Sequence, residues 1–340
     1  MRYIIELNHP KHYYQFRQIV KILQKDGHDI LFVAHDKDIL LSILQEEHVD
    51  YVLLGHNKST MIAKLCAAWN ILRSYRKIIN QFHPDVIISK ASPYGTVIGR
   101  IKKIKTVIFP DSEVVKLTNK FVAPNSDMVI TPESFQLDYG RNHKRVKGFF
   151  ENCYLSPLIF TPQKSIISEY SLQSPYVILR FSGWSANHDV NQSGFSLDEK
   201  KKLIDTISKY MTVYISSEKV LPKELQRYQL NTPSSKMHDV LAFADLYIGD
   251  SQTMATEAAL LGTPAIRSNS FVGPNDMSNF KVLESRYKLL HNVARFEDVL
   301  ALVENYVQKS RKNEWQEKCL RYNQEIGDIN QEIINYLYQL

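Results

Sequence analysis

Short apolar runs alternate with amphipathic stretches along most of the 340 residues. Tyr3–Leu7, Asp29–Ala34, Tyr51–Leu54, Val86–Ser89, Thr106–Phe109 and Met128–Thr131 read as strands. Between them, apolar positions recur at helical spacing over Tyr13–Lys25, Lys37–Glu47, Met61–Phe82 and Tyr94–Lys102. Strands of this kind separated by helices predict βαβ units on a parallel sheet. From about Glu151 to Ser174 the pattern breaks at Pro157 and Pro162 among scattered serines, with Pro175 just beyond, which predicts a linker over 156–175. The alternation then restarts. Tyr176–Phe181, Thr212–Ser216, Leu246–Gly249 and Ala265–Arg267 are the strand-like runs. Leu197–Tyr210, Lys236–Phe243, Thr253–Leu261, Arg295–Lys309 and Glu314–Tyr338 carry the helical pattern. The expectation is two α/β domains, 1–155 and 176–312, with a last helix in 313–340 packing back across their junction.

Composition narrows the class. A 44% hydrophobic and 23% charged chain is that of a globular protein. The net charge of +6 suits an anionic ligand or membrane surface, but the basic residues form no dense nucleic-acid stripe. Cys66, Cys153 and Cys319 are widely spaced, which argues against a zinc ribbon or disulfide framework and for a reducing compartment. MRYIIELNHP offers too short an apolar core for a signal peptide, and no run approaches the ~18 apolar residues of a membrane span. A cytoplasmic protein is expected, with peripheral contact at the inner membrane face an option. The basic runs RIKKIK (100–105) and RNHKRVK (141–147) are solvated faces or contacts with an anionic membrane or glycan. The helix carrying Trp69 is expected to bury its apolar face in the core.

Ligands of parallel sheets sit beyond the carboxyl ends of the strands, so the loops there matter most. GDSQTMATEAALLGTP (249–264) starts a helix on small polar residues. Asp250 or Ser251 can cap it, and the free N–H groups of its first turn suit a phosphate. Glu257 lies four residues past Thr253 on one face, where a carboxylate can accept from a ribose diol. The alternative is a capped packing helix with Glu257 in solvent. Arg180, Ser182, Gly183 and His188 follow another strand, and Ser216 and Ser217 a third; a cation and backbone donors there suit a diphosphate. In the first half, His9 and His12 follow the first strand, Ser89, Lys90 and Tyr94 the fourth, and Asp111 and Glu113 the fifth. His9, Asp111 or Glu113 can act as general base, or simply cap the next helix.

LNHPKHYYQF, GHDILF, FPDSE, KGFFENCYL, LRFSGWSANHD, ISSE and GDSQTMATEAALLGTPAI together resemble the domain of unknown function 354 family, within the GT-B superfamily of UDP-N-acetylglucosamine 2-epimerases and MurG-type glycosyltransferases. The resemblance covers nearly the whole chain. It implies two Rossmann-like domains with parallel sheets facing an interdomain cleft, an acceptor on the N-terminal side and a nucleotide sugar, UDP-linked, on the C-terminal side. By it Ser251 meets the diphosphate and Glu257 the ribose, and Gln252 and Thr253 beside Ser251 are read as facing the phosphates as well. Two departures stand out: Gln252-Thr253 replaces the epimerase glycine pair, and Thr256 replaces the first of two glutamates. The epimerase His-Arg-Arg-Glu-Asn loop is absent, with Ser185-Ala-Asn-His188-Asp189 near its place. The expected function is glycosyl transfer, metal-independent and without a cofactor. C2 epimerisation and non-catalytic nucleotide-sugar binding are the alternatives.

Overall fold

The computed structural model describes residues 1–37, 39–56, 61–181, 194–217 and 220–340, with the side chains of 56 and 61–67 left aside. It comprises two compact units, residues 1–154 with 328–340 and residues 155–327.

The first unit runs β1 (Arg2–Leu7), α1 (Pro10–Lys25), β2 (Asp29–Asp36), α2 (Leu40–Glu46), β3 (Tyr51–His56), α3 (Met61–Phe82), β4 (Val86–Ser89), α4 (Pro93–Lys102), β5 (Lys105–Ile108), β6 (Met128–Pro132), β7 (His143–Val146) and the one-turn α5 (Asn152–Leu155). Its seven parallel strands lie in the order β3-β2-β1-β4-β5-β6-β7. Tyr3, Ile4, Ile5 and Leu7 are fully buried, as expected of a central parallel strand covered on both faces. Ile4, Ile87, Ile71, Tyr75, Ile78 and Ile79 join the sheet to α3. Trp69 departs from expectation: it is 73% exposed, because Ile71, Tyr75, Ile78 and Ile79 already face the sheet and their spacing turns Trp69 outward.

The basic run 141–147 contains an unexpected strand, β7. It pairs with β6 alone at the sheet edge, and of its four residues only Val146 is buried. Lysine and arginine on an edge strand discourage pairing with other chains, and they also mask the strand pattern. Arg145 donates to the carbonyls of Phe135 and Leu137, so part of the run is structural.

The second unit contains α6 (Ser165–Glu169), β8 (Tyr176–Phe181), α7 (Leu197–Ile207), β9 (Thr212–Ser217), α8 (Met237–Phe243), β10 (Leu246–Gly249), α9 (Gln252–Leu260), β11 (Ala265–Arg267), α10 (Ser278–Ser285), β12 (His291–Asn292), α11 (Phe296–Gln308) and α12 (Lys312–Ile326). Its five parallel strands lie in the order β12-β11-β10-β8-β9. The single helix expected over Glu314–Tyr338 is two. Gly327, at φ 72° and ψ −148°, takes a conformation that only glycine adopts readily. Asp328 then caps α13 (Ile329–Leu337) by accepting from Asn330 and Gln331 N–H at 2.9 and 3.2 Å. Helix α13 belongs to the first unit, where Asn330 donates to the Cys153 carbonyl. Among the described residues no helix is long and apolar enough to cross a membrane.

Each sheet has one topological switch point, where strand order reverses. In the first unit it lies between β1 and β4, and in the second between β8 and β10. Crevices open at such points beyond the carboxyl ends of the strands.

Candidate active site

In the second unit, cross-strand register lines up Ser216, Arg180, Gly249 and Arg267 across β9, β8, β10 and β11. The Arg180 guanidinium donates to Ser216 Oγ at 2.9 Å, and the half-buried Ser217 follows at the strand end. Gly249 has no substitute in this row. A Cβ there would lie 2.5 Å from the Tyr247 hydroxyl and 2.8 Å from the Arg180 carbonyl. The loop beyond it is fixed by backbone bonds from Asp250 N–H to Arg180 O and from Ser268 N–H to Gly249 O. Asn269 Nδ2 donates to the Asp250 carbonyl at 2.9 Å.

Ser251 is the cap residue of α9, its Oγ accepting from Met254 N–H at 3.4 Å. The half-buried Gln252 and Thr253 form the first turn, so a positive helix end opens directly at the β8/β10 switch point. Glu257 does not reach into open solvent. It is 6% exposed, and its Oε1 stands 3.2 Å from His238 Nε2. Sequence reading missed His238, a lone histidine on the pattern of α8, and the spacing to Glu257 carries no signal of their contact. Ser182, Gly183 and His188 lie outside the described residues.

A second constellation occupies the β1/β4 switch point of the first unit. His9 caps α1, its Nδ1 accepting from Lys11 N–H at 3.1 Å, and its ring centroid is 5.9 Å from that of His12. Lys11 Nζ reaches Glu151 at 2.7 Å and Asp111 at 3.0 Å. Lys90 Nζ binds the same Asp111 oxygen at 2.9 Å and lies 4.2 Å from the centre of the Phe150 ring. Glu113 turns elsewhere, its carboxylate accepting from Gln136 N–H at 3.3 Å. Lys11, Lys90 and Glu151 are thus site residues that sequence reading did not rank. They come from three separate segments, and only the sheet brings them together.

Electrostatics sort these groups. Burial pushes the Lys90 ammonium down to about 8, with Asp111 holding it from falling further. Burial, then neighbouring His9 and Lys90, keep His12 well below its ordinary value, so it is a neutral imidazole at neutral pH. Burial works against the Asp111 charge, but Lys90 and Lys11 more than offset it and hold its carboxyl well below the carboxylate range. Such a carboxylate is a weak base.

A depressed carboxylate stabilises the folded state fully above its unfolded pKa of about 3.9, and loses that contribution as pH falls toward the folded value. Asp111→Asn is therefore expected to lower the urea midpoint at pH 7. The gap to wild type should shrink as pH falls below about 4, because the unfolded wild-type chain takes up a proton at Asp111 there while the folded, ion-paired carboxylate does not. A gap independent of pH would show that these pairs do not shift Asp111.

Glu6 anchors the floor of this region. One oxygen accepts from Ser92 Oγ at 2.6 Å and pairs with His35 Nε2 at 2.8 Å, and the other accepts from Tyr75 at 2.7 Å. Ser92 also caps α4 through Gly95 N–H. A buried carboxylate satisfied on both oxygens locks the loop that carries Lys90.

Residues 1–161 match the family model described as "Protein of unknown function (DUF354)", in agreement with the resemblance in the sequence. The uncharacterized protein MJ0665 of Methanocaldococcus jannaschii is 21% identical over 280 residues, 77% of this chain and 80% of that one. Among solved structures, the UDP-GlcNAc 2-epimerase of Neisseria meningitidis bound to UDP-GlcNAc superposes with a TM-score of 0.68 at 13% identity, covering 100% of both chains. MurG of Acinetobacter baumannii gives 0.60 at 13% identity, again over 100% of both. The fold is GT-B, as its epimerase and glycosyltransferase neighbours define it.

Proposed function

We propose that this protein is a GT-B enzyme that transfers a glycosyl group from a nucleoside diphosphate sugar, UDP-linked in the first instance, to a glycan or lipid-linked acceptor. One observation carries the reading. At the β8/β10 switch point the open first turn of α9 stands beside the row of Arg180 and Ser216, and Glu257 follows one turn in. Ser251, Gln252 and Thr253 take the diphosphate on backbone N–H groups and hydroxyls. Arg180, with Ser216 and Ser217, stabilises the charge that develops as the nucleotide leaves. Glu257 accepts from the ribose hydroxyls. Ser182, Gly183 and His188 belong to the same donor side by sequence position.

The first unit is read as the acceptor side. His9 is the proposed base, with the neutral His12 as its neighbour. Asp111 serves to hold Lys11 and Lys90 rather than to take a proton, and the Glu113 carboxylate accepts from Gln136 N–H instead of joining them. Catalysis is read as metal-independent, with Arg180 and the first turn of α9 meeting the charge of the leaving diphosphate.

A second reading, C2 epimerisation of a nucleotide sugar, uses the same donor site and is favoured by the likeness to the epimerase bound to UDP-GlcNAc. Both readings are tested on one panel of UDP, GDP, CMP and TDP sugars. Ligand at about a hundred times its dissociation constant stabilises the native state by roughly 2.7 kcal/mol, so a cognate donor raises the melting temperature. Nuclear magnetic resonance of the incubated donor then separates the outcomes. Slow nucleotide release without change at C2 supports transfer, and equilibration of C2 isomers supports epimerisation. Activity lost in EDTA and restored by magnesium would overturn the metal-independent part. No thermal shift with any donor would overturn the proposal.

A further inference from the structure

The Glu257 carboxylate sits in a helix buried on nearly every side, with Met254 to Leu260 all inaccessible. A charge in such a place is costly unless it is hydrogen-bonded. His238 supplies one donor: an ionised carboxylate only accepts, so the proton of this contact is on Nε2.

The helix presenting His238 is held at four successive residues. Gln163 N–H donates to Asp239 Oδ1 at 2.7 Å, and the Tyr176 hydroxyl to the Val240 carbonyl at 2.6 Å. Thr263 Oγ1 donates to the Leu241 carbonyl at 2.6 Å, and Lys312 Nζ to the Ala242 carbonyl at 2.8 Å. The edge of Phe160, 6.1 Å between centroids at 77°, bounds the imidazole. This is a rigid mount for one N–H, and rigid support is what an orienting group needs.

We infer that His238 is a positioning residue of the nucleotide site: by holding Oε1 it turns the Glu257 carboxylate toward a ribose diol, making the site selective for ribonucleotides over 2′-deoxyribonucleotides. This rests on the reading of Glu257 as the ribose acceptor. A packing role alone would weaken every nucleotide equally when His238 is removed, whereas an orienting role costs ligands with both ribose hydroxyls more than their 2′-deoxy counterparts.

The test is calorimetric titration of UDP and 2′-deoxy-UDP, and of GDP and 2′-deoxy-GDP, into the full chain. Wild type is expected to prefer the ribonucleotide by about tenfold or more, as for a hydrogen bond to a charged acceptor. His238→Ala should bring that ratio close to unity by weakening the ribonucleotide more than its 2′-deoxy counterpart. His238→Gln, whose amide N–H can stand near Nε2, should retain most of it, and the shorter His238→Asn should not. The Gln and Asn pair decides the matter if the Ala variant does not fold. A ratio kept in His238→Ala, or an equal loss for both ligands, overturns the inference. A ratio that survives in Glu257→Ala overturns the ribose reading itself. Wild type binding none of the four overturns both.

Discussion

Glu257→Ala is expected to weaken binding of the cognate nucleotide sugar by about a hundredfold, while the protein stays folded. A hydrogen bond to a charged group contributes about 1.5–3 kcal/mol, and each 1.4 kcal/mol is tenfold in affinity. Two such bonds to a ribose diol, partly offset by water in the variant, bring the expectation to that range. The folded state should tolerate the change better than the ligand does. Alanine is the best helix former and most neighbours on α9 are already small, although His238 loses its partner. Calorimetry gives the affinity and a urea titration the stability. Unchanged affinity in a folded variant would remove Glu257 from the ribose role. An equal loss of stability and affinity would make the residue structural.

Asp276→Ala carries the largest expected effect on stability, a loss of about 3–5 kcal/mol, typical of breaking a buried ion pair from one side. Arg267 is fully buried, and its guanidinium donates to both Asp276 oxygens at 2.7 and 2.9 Å. It also donates to Asn292 at 2.6 Å and stacks 3.7 Å from the centre of the Phe280 ring. Removing Asp276 leaves a cation in the core with one side-chain acceptor in place of three. The damage should also reach the nucleotide site. Arg267 pairs in register with Gly249, and Ser268 N–H holds the Gly249 carbonyl, so loosening β11 loosens the loop that starts α9. The emission of Trp315, buried in the same unit with its indole N–H on the Leu289 carbonyl, reports the transition. A midpoint equal to wild type would mean that the pair contributes nothing net.

The two effects differ in kind, and the difference reflects how the second unit is built. Arg267 and Asp276 are paired with each other in the buried core. The first turn of α9 starts where the strand order reverses, and its Gln252 and Thr253 are half-buried rather than packed in the core.

Much of the architecture is legible in the chain. Ile4 and Ile5, or Ile178 and Leu179, lie in unbroken apolar runs because both faces of a parallel strand are covered. Where exposed residues obscure that pattern, reading fails. β7 is mostly His, Lys and Arg on an edge, and β12 is two residues long. The break at Gly327 is hidden because the apolar spacing continues through it, whereas the backbone there needs the conformational freedom of glycine. Trp69 shows the converse: an aromatic residue in a helix is core only if its own turn faces the sheet.

The candidate sites follow the same division. Ser251, Gln252 and Thr253 stand at the first turn of α9 and Glu257 four residues past Thr253, so local helix geometry puts Thr253 and Glu257 on one face. Arg180 and Ser216 could be named as strand ends but not joined, because their contact depends on the register of β8 against β9. His238 with Glu257, and Lys11 with Lys90, Asp111 and Glu151, are contacts between segments up to 140 residues apart. The chain by itself determined the periodicities, the helix start at Ser251 and the family resemblance, since each depends on residues a few positions apart. Only the tertiary structure decided which carboxylate meets which cation, because that is set by strand order and burial, and those are properties of the packed sheet rather than of any stretch of it.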